Sequence, residues 1–406
     1  MPATLDLHAV REQFPALART HDGQPIAYLD GPAGSQVPTA VADAMRMQLL
    51  EGTANEGGAF STSLRTNALV DAARDAAAEL CGSASDEIAF GPNMTTLNFL
   101  LAHAVARTLA PGDEIVVTEL DHDANVAPWL RVAEDHGLAV RVAPIDCDDA
   151  TLDPGVVEDL LGPRTRIVAF TLASNAVGSI PDARRIAEAA HRVGALAWAD
   201  GVHFAPHRRP DRAALGADVL LCSPYKFFGP HLGIAAIRRD LAERWPADRV
   251  RPAPEHPPAH RFETGTASFE ALAGLVAAIE HIRGLGSTDD LDDAYAAIRA
   301  HEEELTRRVL AGLAGLDRVT LYGIADPERL DERTPTFCLT VEGRTPREVA
   351  EALARDGLQV WDGNYYALSV MEALGLEERG GAVRAGLLHY TTAEEVDRLL
   401  EALAAL

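Results

Sequence analysis

The chain has 406 residues, 47% hydrophobic and only 5% aromatic, enough to bury a large core and to make two or three domains the prior expectation. With 61 acidic against 36 basic residues its formal charge is −25, which repels nucleic-acid phosphates and anionic lipid alike, so neither nucleic acid nor a membrane is an expected partner. The four cysteines, Cys81, Cys147, Cys222 and Cys338, show no paired spacing and no metal-ligand pattern, so a reducing cytoplasm is expected and no metal site.

The opening residues carry charges where an export signal needs an apolar core, and no uncharged apolar run is long enough to cross a bilayer. Leu7, Val10, Phe14 and Leu17 have helical spacing, which predicts an amphipathic helix over 6–18 docked on the body of the protein. YLDGPAGSQVP reads as a strand running into a Gly/Pro turn. From about 66 to 300, short apolar runs (EIAFG, EIVVTE, AVRVAPI, RIVAFTLA, ALAWAD, DVLLCS) alternate with amphipathic stretches such as DARRIAEAAHRVG. Apolar strands alternating with helices imply a mostly parallel sheet covered on both faces, an α/β fold. Near IRGLGSTDD a Gly/Ser turn precedes a long charged helix, and the remainder (VTLYG, TFCLTV, a helix, QVWDGNYYA, AVRAGLLHY and a closing helix) reads as a smaller α+β unit. The expected organisation is a large domain over 20–285 and a small one formed by 1–19 with 286–406.

In an open parallel sheet, ligands gather beyond the carboxyl ends of the strands, so the polar residues just after the apolar runs matter most. SPYKFFGPHLG places Lys226 in a Gly- and Pro-bounded loop, ADGVH opens on Asp200, DHDANVAPW carries His122, SNAVG carries Asn175, and PNMTT leads into a helix. Singly each has a plain explanation: a solvated lysine, a helix-capping Asp, a His satisfied by a local hydrogen bond. Together at one sheet edge they suit an electron-sink cofactor with a phosphate tail.

YLDGPAGSQVP, DHDANVAPW, ASNAVGSIP, ADGVH, SPYKFFGPHLG, FETGTAS and VRAGLLHY resemble, in order and over nearly the whole chain, the class V aminotransferase and cysteine desulfurase family of fold-type I pyridoxal 5′-phosphate enzymes. GPNMTT, ANEGGAFSTS and VWDGNYYA look like a desulfurase-like subfamily distinct from the true desulfurases. The resemblance implies roles. Lys226 would hold the cofactor covalently and, once displaced by substrate, carry the Cα proton; its amine must be neutral to attack. Asp200 would keep the pyridine nitrogen protonated, His122 would lie on the ring face, and Asn175 with His203 would contact the phenolic oxygen. Met94 and Thr95 at a helix start, with Ser223 and Tyr225, would bind the phosphate. Thr266 would reach across from the other subunit of a homodimer. Arg384 would clamp the carboxylate of a small amino-acid substrate bidentately, with Ala33 and Asn175 beside it.

A true desulfurase needs a thiolate on a mobile loop before the Arg-bearing strand, and the corresponding stretch, WDGNYYALSVMEALGLEERGG, has no cysteine. Cys338 and Cys222 lie in apolar strands and read as packing. Trp361, Tyr365 and Tyr366 stand where the thiol is missing, either as a wall against a larger, more apolar substrate or as packing between domains. Gly57 and Gly58 would widen the pocket mouth or make a tight turn. The first expectation is therefore Cα deprotonation followed by β-elimination from a cysteine-derived substrate, a carbon–sulfur lyase. Transamination comes next, then decarboxylation-linked deamination or epimerisation, then desulfuration. A non-catalytic cofactor-binding protein comes last, because Lys226 and Asp200 are both present.

Overall fold

The computed structural model describes residues 5–406. The N-terminal amphipathic stretch is helical only over Leu7–Glu12 (α1), because Pro15 has no N–H to extend the ladder, and Pro15–Ala18 turns as a 3₁₀ helix. Val10, Phe14 and Leu17 are nonetheless buried against the body of the protein.

The large sheet contains seven strands: β1 (Ile88–Gly91), β2 (Glu114–Thr118), β3 (Ala139–Ala143), β4 (Thr165–Thr171), β5 (Leu196–Asp200), β6 (Val219–Cys222) and β7 (Gly233–Ile237). Their spatial order is β1-β7-β6-β5-β4-β2-β3. The run from β6 to β3 is parallel, whereas β7 pairs antiparallel with both β6 and β1, so the sheet is mixed. GIAAI is the strand that the apolar-run pattern does not reveal: with Gly and Ala at three of its positions it has little β-branched signal, and its closeness to β6 comes from a tight return of the chain.

Both faces of this sheet are covered, with alternate residues serving different cores. Leu220 and Cys222 pack on one side with Phe170 and Phe228, while Val219 and Leu221 pack on the other with Trp129 and Trp198. Trp198 meets Trp129 edge-on at 4.9 Å and donates its indole N–H to Asn98 Oδ1 at 2.9 Å, so the buried polar atom is satisfied.

A second sheet follows the long helix Leu291–Leu313, whose N-cap Asp290 accepts from Asp292 N–H. It comprises β8 (Val319–Tyr322), β9 (Thr336–Val341), β10 (Trp361–Gly363) and β11 (Ala382–Gly386), all antiparallel, in the order β8-β9-β11-β10. The YLDGPAG stretch joins this second unit: Ala27–Tyr28 pairs in parallel with Leu358–Gln359, Ala27 and Leu29 enter its core, and Asp30 bridges to Gly386. Gly386 has to be glycine, since a Cβ there would stand 2.2 Å from Pro32 Cδ. No helix of the described residues is long and apolar enough to cross a membrane.

Candidate active site

The loops that leave the carboxyl ends of β2, β4, β5 and β6 converge. Beyond β2, the Thr118 hydroxyl and Asn125 Nδ2 both donate to the buried Asp121 carboxyl, fixing the turn that carries His122. Burial pushes Asp121 up to about 8. His122 Nδ1 accepts from Ala124 N–H at 2.9 Å, which leaves the ring proton on Nε2. Burial above all, then the charges of Lys226 and Arg384, holds the His122 pKa down at about 4, so the ring is a neutral imidazole.

Asp200 closes β5, buried, with Oδ1 accepting from Val202 N–H at 2.9 Å. Desolvation raises its pKa to about 6, against the Val202 hydrogen bond and the Lys226 charge, so at neutral pH it is a buried carboxylate suited to a cationic partner. Beyond β6 the chain makes a 3₁₀ turn over Pro224–Lys226. The buried Phe227 and Phe228 anchor this turn, Phe228 at a φ of 69° with its N–H on Ser35 Oγ at 2.7 Å. Lys226 Nζ donates to the carbonyls of Pro32 at 2.6 Å and Ala33 at 3.0 Å. Burial first, and the Arg384 charge second, lowers its pKa to about 7.

A helix, α2 (Met94–Ala106), starts at the same place. Its N-cap Asn93 accepts from Thr96 N–H at 2.8 Å, and Met94 N–H donates to Ser223 Oγ at 2.9 Å. That accounting leaves the Ser223 hydroxyl proton and the Thr95 amide free for an anion.

These groups line one cavity with about 440 Å³ of empty space, bounded by Met94, Thr95, His122, Asn175, Asp200, His203, Ser223, Tyr225 and Lys226. It opens into a cleft of about 1610 Å³ that adds Ala33, Trp361, Tyr365 and Arg384. The fold thus gathers every predicted site residue except Thr266, which is exposed and lines neither space of its own chain. Gly57 and Gly58 also lie outside both; they form a turn in which Gly58 N–H donates to Ser63 Oγ at 2.7 Å.

Arg384, buried on β11, donates to the Asn175 carbonyl at 2.8 Å and lies 4.4 Å above the Tyr365 ring. Burial lowers its pKa to about 10, leaving it charged at neutral pH. Asn175 donates from Nδ2 to the Tyr365 carbonyl at 2.9 Å, which fixes the orientation of the amide, because Oδ1 could not face that carbonyl. His203 Nε2 sits 2.9 Å from Thr336 Oγ1 and 3.2 Å from Thr334 Oγ1.

Several groups escape a reading of strand ends alone. Asp30 is a carboxyl in the YLDGPAG turn whose pKa is raised by burial and whose Oδ1 is buried without a hydrogen-bond partner among the described residues. Phe99, one helical turn beyond Thr95, and Asp123 and Asn364 line the cleft. Only the identity of the YLDGPAG stretch hinted at Asp30; for Phe99 the i, i+4 spacing from Thr95 was the available signal.

The residues fit pyridoxal 5′-phosphate. Asn175 Oδ1, His203 Nδ1 and Arg384 Nε are buried polar atoms with no hydrogen-bond partner among the described residues, and each belongs to a residue lining this cavity or its cleft. Asp200 would hold the ring nitrogen, Lys226 the aldehyde carbon, and Thr95, Ser223 and Tyr225 the phosphate. The cysteines are elsewhere: Cys81, Cys222 and Cys338 are buried, and burial raises the Cys338 thiol to about 12. Cys147 is exposed and 3.5 Å from the Ala373 carbonyl. The stretch before β11 contains the short helix Leu368–Ala373 and no thiol.

Residues 27–399 match the model of the family described as aminotransferase class-V. An aminotransferase-like protein of Gibberella zeae is 32% identical, covering 99% of this chain and 98% of its own length. A protein described as a cysteine desulfurase in Pectobacterium atrosepticum is 31% identical over 98% of the chain and 97% of the relative. A probable cysteine desulfurase of Mycolicibacterium paratuberculosis is 34% identical, but the chain spans only 58% of that protein. Among solved structures, the apo cysteine desulfurase of Thermococcus onnurineus superposes with a TM-score of 0.89 at 27% identity, covering 100% of this chain and 99% of the other. A lysine at a strand end, a buried carboxylate across the cavity, a helix start free for phosphate and these likenesses converge: the chain belongs to the class V aminotransferase family of pyridoxal 5′-phosphate-dependent enzymes.

Proposed function

We propose that this enzyme removes the Cα proton of a cysteine-derived amino acid and expels the sulfur substituent from Cβ, a carbon–sulfur lyase. The observation that carries the reading is that, among the described residues, no thiol lines the cavity or the cleft to accept the sulfur, which would then depart with its leaving group. The cofactor supplies an electron-poor ring that weakens the bonds to Cα of an amino acid joined to it.

The chain's own groups supply the rest. Arg384 binds the substrate carboxylate through its unpartnered Nε and orients Cα over the site. Lys226 Nζ, its pKa drawn to about 7, accepts the Cα proton as a neutral amine and can return it to the departing sulfur. The Asp200 carboxylate would hold a proton at the ring nitrogen of the bound cofactor, and the neutral His122 imidazole would supply a flat wall to the ring with no charge to desolvate. The electron pair of the Cα–H bond forms the Cα–Cβ double bond as the Cβ–S pair leaves on sulfur. The released 2-aminoacrylate takes up water to give pyruvate and ammonia.

The holoenzyme, wild type and with all four cysteines replaced, should be supplied with a panel of cysteine conjugates and plain amino acids while pyruvate, ammonia and the pyridoxamine form of the cofactor are followed. Equimolar pyruvate and ammonia from the conjugates, in both proteins, is the expected result. Accumulation of the pyridoxamine form instead would overturn elimination in favour of transamination, and activity lost only in the folded cysteine-free protein would restore desulfuration.

A further inference from the structure

We infer that the outer cleft is built for a β-substituent that is aryl or otherwise large and apolar, and that it turns away an anionic one. The inference rests on the elimination reading for its reaction but on separate residues for its argument. Arg384 and Lys226 line the same cleft and fix two ends of an amino acid, the carboxylate and the carbon bearing the amine. The third arm, the β-substituent, has the remaining wall to meet. That wall presents Phe99 from α2, Trp361 at the start of β10 and Tyr366, which are 43%, 51% and 74% exposed. Within the single chain, three large aromatics exposed around one concavity that also holds Arg384 and Lys226 suit a binding wall better than ordinary surface.

Their placement is enforced. Tyr365 and Tyr366 both have left-handed backbones, φ 56° and 57°, a conformation that bulky residues adopt only when the surroundings impose it. Asp123 N–H donates to the Tyr366 carbonyl at 2.7 Å, Asn175 Nδ2 donates to the Tyr365 carbonyl at 2.9 Å, and the Tyr365 hydroxyl donates to the Ala382 carbonyl. The strained turn therefore hangs from residues of the cavity itself, with the Tyr366 ring 5.7 Å from that of His122.

Charge sets the second half of the preference. Among the described residues Arg384 is the only arginine lining the cleft, and the substrate's own carboxylate would occupy it. Of the acids there, Asp362 pairs with Arg347 at 3.2 Å, whereas Asp123 has no ion-pair partner among the described residues. A carboxylate on the third arm would face Asp123, with Arg384 and Lys226 already engaged by the substrate's own carboxylate and by the cofactor.

The experiment compares S-phenyl-, S-methyl- and S-carboxymethyl-L-cysteine on the holoenzyme, with β-chloro-L-alanine as a substrate whose leaving group needs no pocket. Dissociation constants are read from the cofactor absorbance and from tryptophan fluorescence, so that binding is decided whether or not turnover occurs. The phenyl compound should bind and react on the order of a hundredfold better than the methyl one, and it should quench a fluorescence component that is missing in Trp361→Phe. In Trp361→Ala and in Tyr366→Ala the phenyl-to-methyl ratio should fall toward one, and Asp123→Asn should improve the carboxymethyl compound.

Equal affinities for phenyl and methyl compounds would overturn the inference while leaving elimination standing if β-chloroalanine is consumed. If nothing is eliminated, β-chloroalanine included, the reaction assignment fails, and the binding ratio still decides the cleft's preference. Dissociation of an oligomer on Trp361→Ala without any change in that ratio would overturn it in favour of a second copy of the chain covering the aromatic rim.

Discussion

At the scale of single residues, protonation decides what the site can do. Lys226 must attack as a free amine, and burial together with the Arg384 charge brings its pKa to about 7, where an exposed lysine would remain ammonium to about 10. The neutral fraction rises with pH, so capture of pyridoxal 5′-phosphate by the apoprotein should speed up through pH 7 and level off by about pH 8. Stopped-flow absorbance would measure this, and a rate still climbing steeply near pH 10 would contradict it. Much of this chemistry is legible in the sequence, because Lys226, Asp200, His122 and Asn175 each follow an apolar run directly. Asp121 and Asp30 are not legible in the same way: their importance comes from burial, which raises Asp121 to about 8, and burial is a property of the folded chain.

At the scale of elements, the start of α2 does two jobs. Asn93 caps the helix by accepting from Thr96 N–H, and in doing so it aims the first turn at the cavity. Asn93→Ala should cost about 1 kcal/mol of stability and weaken cofactor binding, whereas Asn93→Asp or Asn93→Ser should restore the stability. Thermal unfolding of the apoprotein with a cofactor titration separates the two effects; an unchanged affinity in a destabilised Asn93→Ala would show that the cap serves the helix alone. Elements with strong periodicity, such as the long helix ending at Leu313, are readable from sequence. Those set by neighbours are not: β7 lies beside β6 because of a tight return at residues 223–232, and α1 stops early because of Pro15.

For the whole molecule, Thr266 raises the question of how many chains complete the site. It is exposed and lines neither the cavity nor the cleft, as a residue serving another subunit would be. We propose a homodimer with shared sites, so sedimentation of the holoenzyme should give a dimer. Mixing Thr266→Ala with Lys226→Ala subunits should restore one site per mixed dimer that has both residues; a fully active monomer would count against sharing. The Gly/Ser turn near 286 is where we propose that the large unit ends; the pairing of residues 27–30 with the C-terminal strands was not readable from the sequence, because it depends on a segment more than 300 residues away.

Strand β11 ties these scales together. It carries Arg384, and two residues later Gly386, which presses on Pro32, whose carbonyl receives the Lys226 amine. The guanidinium that would grip the acid end of a guest and the oxygen that receives the free Lys226 amine therefore meet through only three residues of one strand and the proline packed on it.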